Sequence, residues 1–320
     1  MSQKSTFGTA AYGGSHWQPR ERAHSEELGS VWSACGLENE WQALKSVVLH
    51  SPGDELLAAQ ENPDAVQMLQ PLDIIKAQEE HAQLAETYRS QGVDVYFVEP
   101  AGPVSPNLMF CADLMAMTPE GAILARPASV VRAGEERNMQ ACLARLGIPI
   151  LKTLNGNATF EGADLIWLNR KRAILGRGLR TNSEAIVQIS GLLEEIHIEV
   201  LPVDMPYGTM HLMGMLRIVD DNLALAWPRR TPHRAVMALR ESGYEVAFLP
   251  DLPDFEQQKA FNFVTLGSRK ILMVADNPGA KSFYESLNIE CIETPASELA
   301  KAAGAVGCLS GILHRAIDQG

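Results

Sequence analysis

Cationic residues are scarce in this chain. Its 320 residues carry 27 Lys and Arg against 39 Asp and Glu, a formal net charge of −12. Binding to nucleic acid needs clustered Lys and Arg to neutralise phosphates, so no nucleic-acid partner is expected. A small cationic substrate is not excluded. No run approaches the ~18 apolar residues of a membrane-spanning helix, so no membrane partner is expected either. The N-terminus is polar and rich in Gly and Ser, without the apolar stretch of a secretory signal. The five cysteines, Cys35, Cys111, Cys142, Cys291 and Cys308, form no Cys-x-x-Cys pair and no zinc spacing. An odd count without a signal points to free thiols in a reducing, cytoplasmic setting. Neither Gly-rich nucleotide fingerprint occurs, which argues against a kinase or a dehydrogenase. No Pro/Ser/Gly-rich linker divides the interior. Residues 1–30 therefore read as a flexible arm, and 31–320 as a single catalytic domain with a substantial core.

What is present is a repeat. A helix-like stretch ending in a short apolar strand recurs about five times at a spacing of roughly 45–55 residues, the signature of one supersecondary unit copied around an axis or along a stack. The strands lie at 92–98, 147–151, 196–203, 243–249 and 287–292. Four are preceded by hairpin-like pairs, at 113–126, 164–176, 215–228 and 261–275, each with a polar turn. Leu44–His50 is a further strand, opening the first unit. Helical periodicity covers 74–91, 135–146, 183–196, 234–242 and 278–287. Gly92 stands as a C-cap of the first, Asn182 or Ser183 as N-cap of the third, and Asn277 as cap of the last. Strand pair, helix and returning strand make an α/β arrangement, distinct from the single alternation of a doubly wound sheet.

Polar outliers fall at equivalent places in these units. Asp113 opens the first hairpin, Glu161-Gly162-Ala163-Asp164 the second and Met210-His211-Leu212-Met213-Gly214 the third; Gly307-Cys308 follows the last unit. Taken singly, a Cys among small residues is packing, a His is a satisfied polar group and an Asp before a hairpin is a turn residue. Their joint placement favours a nucleophilic site. A thiol with an ordinary pKa near ~8.5 needs a cationic neighbour to ionise at neutral pH. Either His211 or a bound cationic substrate supplies that charge. Glu161 can orient the imidazole as the third member of a triad does. Asp113 or Asp164 can hold a planar cation, because a carboxylate matches a guanidinium bidentately.

These segments resemble the guanidine-modifying (pentein) superfamily, which includes arginine deiminases, amidinotransferases and dimethylarginine dimethylaminohydrolases. The matching stretches are Pro106–Asp113, Glu161–Asp164, Arg177–Asn182, His211-Leu212 and Gly307-Cys308, in the family's order, within a resemblance covering roughly residues 38–316. It implies a five-bladed ββαβ propeller with pseudo-fivefold symmetry, in agreement with the repeat. It implies that Cys308 is the nucleophile and His211 the general acid/base, and that Glu161 pairs with that histidine or with the substituents of the guanidine carbon. Asp113 would grip the guanidinium; Arg180, and Arg126 in Ala125-Arg126-Pro127, would bind a substrate carboxylate. No metal or organic cofactor is implied, and a homo-oligomer is left open.

Two departures stand out. Deiminases and amidinotransferases carry Asp two residues after the histidine, where this chain has Met213. They tend to carry Arg before the first Asp, where this chain has Ala112. The expected activity is hydrolysis of a C–N bond in a guanidino or amidine compound through a covalent thiouronium, in the manner of dimethylarginine dimethylaminohydrolase. The alternatives are amidino transfer from arginine to an amine, and a non-catalytic binding module. Apolar Met213 leaves one edge of the guanidinium without a carboxylate, which disfavours an unsubstituted guanidine. A higher kcat/KM for methylated arginines than for arginine is therefore expected, together with a shift toward arginine in Met213→Asp. Steady-state rates on arginine, methylated arginines and agmatine check this; arginine as the best substrate, unchanged by Met213→Asp, contradicts it.

Overall fold

The computed structural model describes residues 6–251, 255 and 259–317. They form fifteen strands: β1 (Leu44–Leu49), β2 (Asp94–Phe97), β3 (Met115–Thr118), β4 (Gly121–Leu124), β5 (Ile150–Thr153), β6 (Leu165–Asn169), β7 (Arg172–Arg177), β8 (Glu199–Asp204), β9 (Leu216–Ile218), β10 (Leu223–Ala226), β11 (Glu245–Phe248), β12 (Val264–Gly267), β13 (Lys270–Val274), β14 (Glu290–Thr294) and β15 (Gly311–Arg315). These assemble into five three-stranded sheets, ordered β15-β1-β2, β3-β4-β5, β6-β7-β8, β9-β10-β11 and β12-β13-β14. In each, the first two strands are antiparallel and the third is parallel to the second.

The local chemistry explains this pattern. A parallel return needs a crossover, and a helix supplies it in every unit. The crossover helices are Ile74–Ser90, Glu135–Arg145, Ser183–Glu195, His233–Glu241 and Pro278–Ser286. Three start on a side-chain cap: Asp73 accepts from the Lys76 N–H, Asn182 from Ala185 and Asn277 from Ala280. Burial is graded across each sheet. Entry strand β3 is buried at every position, whereas β5, the returning strand of the same sheet, is half-buried and ends exposed. An apolar run such as Met115-Ala116-Met117 suits a strand covered on both faces.

The sheets pack on one another in sequence order. Leu114–Met117 and Ile123 meet Leu165, Trp167 and Leu175 in one cluster that also holds Val48 and Leu313. Ile166, Leu168 and Ile174 pack with Leu216, Ile218 and Ala224. Leu223 and Leu225 pack with Phe263, Ile271 and Met273. Leu44, Val47 and Leu49 then pack with Val264, Leu266 and Leu272, so the fifth sheet lies against the first. Hydrogen bonds cross between sheets as well: Trp167 Nε1 donates to the Met117 carbonyl (3.1 Å) and Thr265 Oγ1 to that of Ile218 (3.1 Å). The repeat reading places four hairpins correctly. It has no place for β15, which pairs antiparallel with β1 from the far end of the chain.

Residues 1–5 of the expected arm lie outside the described residues. Thr6–Gly8, Ala10–Tyr12 and Ser25–Glu27 are short 3-10 turns. His24 bonds the Glu120 carbonyl through Nε2 (2.9 Å), and buried Glu27 accepts from Arg20 Nε (2.7 Å), so the end of the arm is attached to the second sheet's turn. No helix among the described residues is long and apolar enough to cross a membrane.

Because β15 closes the first sheet, truncating its buried Leu313 (1% exposed) should weaken the whole domain. Leu313→Ala is expected to lose ~2–5 kcal/mol, the usual range for a Leu→Ala core cavity. Urea unfolding at constant m-value checks this, and a loss well below that range would mean that β15 is peripheral.

Candidate active site

Each sheet receives one candidate side chain just ahead of its entry strand. Cys308 sits in the short helix Val306–Leu309 before β15. Asp113 ends the 3-10 turn Cys111–Asp113 before β3. Glu161 caps the turn Gly162–Asp164 before β6, and His211 caps the turn Leu212–Gly214 before β9. Asn262 precedes β12. Repetition of the unit thus places five side chains at equivalent positions, and four were named from sequence. Asn262 was missed, although the periodicity that located the others also marks the entrance of the 261–275 hairpin.

Close backbone approach makes this convergence possible. A Cβ at Gly162 would lie 2.0 Å from the Met115 carbonyl oxygen and 2.6 Å from that of Ala112. Only glycine lets the Glu161 turn press against the segment that carries Asp113. Gly307 is similar: its Cβ would lie 2.4 Å from Arg217 Nη2 and 3.0 Å from Asn262 Oδ1. Asn262 Oδ1 accepts from the Gly307 N–H (2.8 Å) and the Cys308 N–H (3.1 Å), and its Nδ2 donates to Cys308 Sγ (3.1 Å). One amide therefore fixes both the backbone and the sulfur of Cys308.

The centre of the site is a buried charge network. His211 Nε2 and Glu161 Oε2 share a 2.7 Å hydrogen bond, and His211 Nδ1 lies 3.7 Å from Asp113 Oδ1. Arg132, unmarked by the sequence reading, connects the acids. Its Nη1 donates to Asp113 Oδ2 (2.6 Å) and lies 3.5 Å from Glu161 Oε2, while Nη2 donates to Glu135 Oε2 (2.9 Å). The available signal was the Arg132/Glu135 pair, three residues apart at a helix start, which also fits an ordinary surface ion pair. Arg180 Nη1 donates to Glu161 Oε1 (3.2 Å). Asp113 Oδ1, by contrast, has no hydrogen-bond partner.

Burial opposes charge on His211, but Asp113, Glu161 and Asp164 outweigh it and lift its pKa to about 9. Burial likewise opposes ionisation of Glu161, yet the His211 hydrogen bond, Arg132 and Arg180 bring it down to about 2. Glu135 is raised by its burial despite Arg132. The Cys308 thiol is raised, first by burial and then by the Asp113 charge, against the Asn262 hydrogen bond. Without a ligand the histidine is protonated and the thiol neutral at pH 7.

The structure brings Asp113, Glu161, His211, Cys308 and Arg180 together; Asp113, Arg132, Arg180, His211 and Cys308 line one cavity with about 330 Å3 of empty space, including its opening to solvent, and Glu161 lies behind its wall. Asp164, Arg126 and Met213 do not line that cavity either. Asp164 lies one layer behind it: Thr181 Oγ1 donates to Oδ2 (2.6 Å) and the Leu212 N–H to Oδ1 (2.9 Å), so it holds the histidine turn. Burial raises Asp164 to about 6. Arg126 pairs through its backbone with Phe160 and donates Nη1 to the Ala158 carbonyl (2.9 Å), outside the cavity. Met213 is half-buried and lines a neighbouring chamber that meets the first at His211 and Cys308. Asp113, Glu161 and His211 each place a ligand atom within 4.8 Å of the others, a spacing that can hold a metal ion. Here the Arg132 guanidinium already lies against both carboxylates.

The raised pKa of His211 has a defined pH signature. Its charge contributes stability that is fully present below about 6.5 and fades as pH rises through about 9. Glu161, held down, contributes stability that is lost as pH falls toward about 2. Glu161→Gln removes the carboxylate charge beside the imidazole and should lower the His211 pKa by ~1 unit or more. Imidazole titration by NMR checks this; an unchanged pKa in the variant would show that Glu161 does not hold the proton on His211.

Residues 59–308 match the family described as N,N dimethylarginine dimethylhydrolase, eukaryotic. The N(G),N(G)-dimethylarginine dimethylaminohydrolase of Streptomyces coelicolor is 24% identical over 233 residues, 73% of this chain and 84% of that protein. Among solved structures, a cysteine-to-serine variant of the Pseudomonas aeruginosa enzyme complexed with citrulline superposes with a TM-score of 0.71 at 22% identity, covering 86% of this chain and all of that one. An amidinotransferase from Microseira wollei, of a saxitoxin biosynthetic pathway, gives 0.73 at 15% identity, covering 89% and 98%. The fold is that of these enzymes. With most of its length matched in this way, the chain belongs to the dimethylarginine dimethylhydrolase family.

Proposed function

We propose that the chain is a cysteine-dependent hydrolase that cleaves a C–N bond of an N-substituted guanidine, dimethylarginine being the first candidate. One observation carries this reading: a nucleophile, a proton carrier and an unpartnered carboxylate oxygen, Asp113 Oδ1, border one small cavity that already holds two arginines. The cyclic packing of five sheets supports a five-bladed propeller, with the site where the entry turns meet. Free thiols at all five cysteines support a reducing, cytoplasmic setting.

The residues divide the work as follows. Asp113 Oδ1 accepts a guanidinium N–H, and Arg180 takes the carboxylate of an amino-acid tail. The bound cation favours the thiolate by electrostatic attraction, reversing the effect of burial, and the thiol proton passes to solvent because His211 already carries one. Cys308 Sγ attacks the guanidine carbon. The C–N bond breaks, the departing nitrogen takes the bonding pair and a proton from His211, and a thiouronium remains on Cys308. His211, now neutral, takes a proton from water as the water's oxygen adds to that carbon. The C–S bond then breaks, releasing a ureido product and regenerating the thiol. Glu161 holds the imidazole and stabilises it each time it is charged.

Cys308→Ala should lose several orders of magnitude in turnover with the fold intact. His211→Ala should lose ~10²–10⁴-fold in kcat. Asp113→Asn should raise KM by ~10–100-fold, as expected for loss of a hydrogen bond to a charged group. Amine release from dimethylarginine, with mass spectrometry of quenched enzyme for a Cys308 adduct, measures all three. Normal turnover by Cys308→Ala would overturn the reading. A new guanidino compound formed only when an acceptor amine is added would identify a transferase instead.

A further inference from the structure

Cys308 and His211 border two spaces, not one. On one side lies the Asp113–Arg132–Arg180 cavity; on the other is a chamber with about 870 Å3 of empty space, including its opening to solvent. The two differ in their charged members. The first carries the Asp113 carboxylate with the Arg132 and Arg180 guanidinium groups, beside Phe110 and Met210. The second is walled by Met210, Met213, Met215, Trp227 and Phe261. Met215, Trp227 and Phe261 are 3%, 5% and 2% exposed, with the two rings 5.7 Å apart, so its floor is packed and apolar. Its charged members are cationic: Arg217, Lys259 and Arg230, the last lying 4.7 Å over Trp227. No carboxylate lines it among the described residues.

A guanidine carbon placed over Cys308 Sγ carries three coplanar nitrogens. If the retained half of the substrate occupies the Asp113 cavity, the substituent on the leaving nitrogen points across the sulfur toward the second chamber. We infer that this chamber receives that substituent, and that it accepts a neutral apolar or aromatic group much larger than methyl while excluding a cationic one. The inference rests on the hydrolase reading above. Thioether side chains are flexible and polarisable, and suit groups of varied shape. Aromatic walls add edge or stacked contacts to an incoming ring. The Arg217 and Lys259 charges repel an ammonium on the substituent. The chemistry is unchanged: the C–N bond to the substituted nitrogen breaks as the C–S bond forms, that nitrogen takes the pair and the His211 proton, and the amine departs through the chamber.

The experiment compares Nω-benzyl-L-arginine, its 4-(aminomethyl)benzyl analogue and asymmetric dimethylarginine, with amine release followed in each case. The benzyl compound should be cleaved with kcat/KM within ~10-fold of dimethylarginine, and the cationic analogue at least ~10-fold more slowly than the benzyl compound, the scale on which pocket misfit acts. Gly214 is exposed and borders the chamber, and a Cβ there would meet nothing within 4 Å, so Gly214→Phe is a foldable way to occupy it. That variant should lower cleavage of the benzyl compound by ~10-fold or more while changing dimethylarginine by less than about threefold. Cleavage of dimethylarginine but not of the benzyl compound, or equal losses on both in Gly214→Phe, overturns the chamber assignment and leaves the hydrolase reading standing. Cleavage of none of the three overturns both.

Discussion

The site depends on packing three carboxyl groups side by side out of water. Asp113, Glu161 and Glu135 are 3%, 0% and 2% exposed. Carboxylates out of water and close together repel, and each loses the hydration that favours its charge. Arg132 answers this with a fixed cation, itself 2% exposed, that reaches all three. It leaves Asp113 Oδ1 unpartnered, facing the imidazole. A resident cation thus stabilises the acids while one lone-pair site stays open for a second cation that comes and goes.

In the proposed mechanism that arrangement couples binding to reactivity. Burial and Asp113 together keep the Cys308 thiol protonated when the site is empty. A guanidinium docked on Asp113 neutralises the charge that disfavours the thiolate, and Asn262 already stands in hydrogen-bond contact with the sulfur. A weakly nucleophilic resting thiol is spared adventitious oxidation and alkylation, because the thiolate is the reactive form. His211 fits the same scheme: charged at rest, it is ready to act first as an acid.

Much of this could be read from the chain. The strand–turn–strand–helix–strand period located four of the five sheets, since each unit must bury its own apolar stripe and repeats the same polar turns to do so. Aligning those units placed Asp113, Glu161, His211 and Cys308 at their entrances. Three residues read less well for stated reasons. Arg126 has the composition of a carboxylate binder, but its guanidinium is taken up by the Ala158 carbonyl. Asp164 supports the histidine turn from behind. Arg132 lay in a stretch without periodic signal, and a salt bridge to Asp113, 19 residues away, leaves no local mark.

The order of the elements, the equivalence of their entrances and the residue types able to do cysteine chemistry were therefore determined by the sequence alone, because they follow from local periodicity and from side-chain chemistry. Tertiary structure decided the rest. It brought β15 back across the chain onto β1, made Arg132 the shared counter-ion of three acids, and put Met213 in the chamber that borders Cys308. Each of those outcomes depends on which distant surfaces pack together and on the low-dielectric interior they create, where the direction of a single side chain sets the charge of its neighbours.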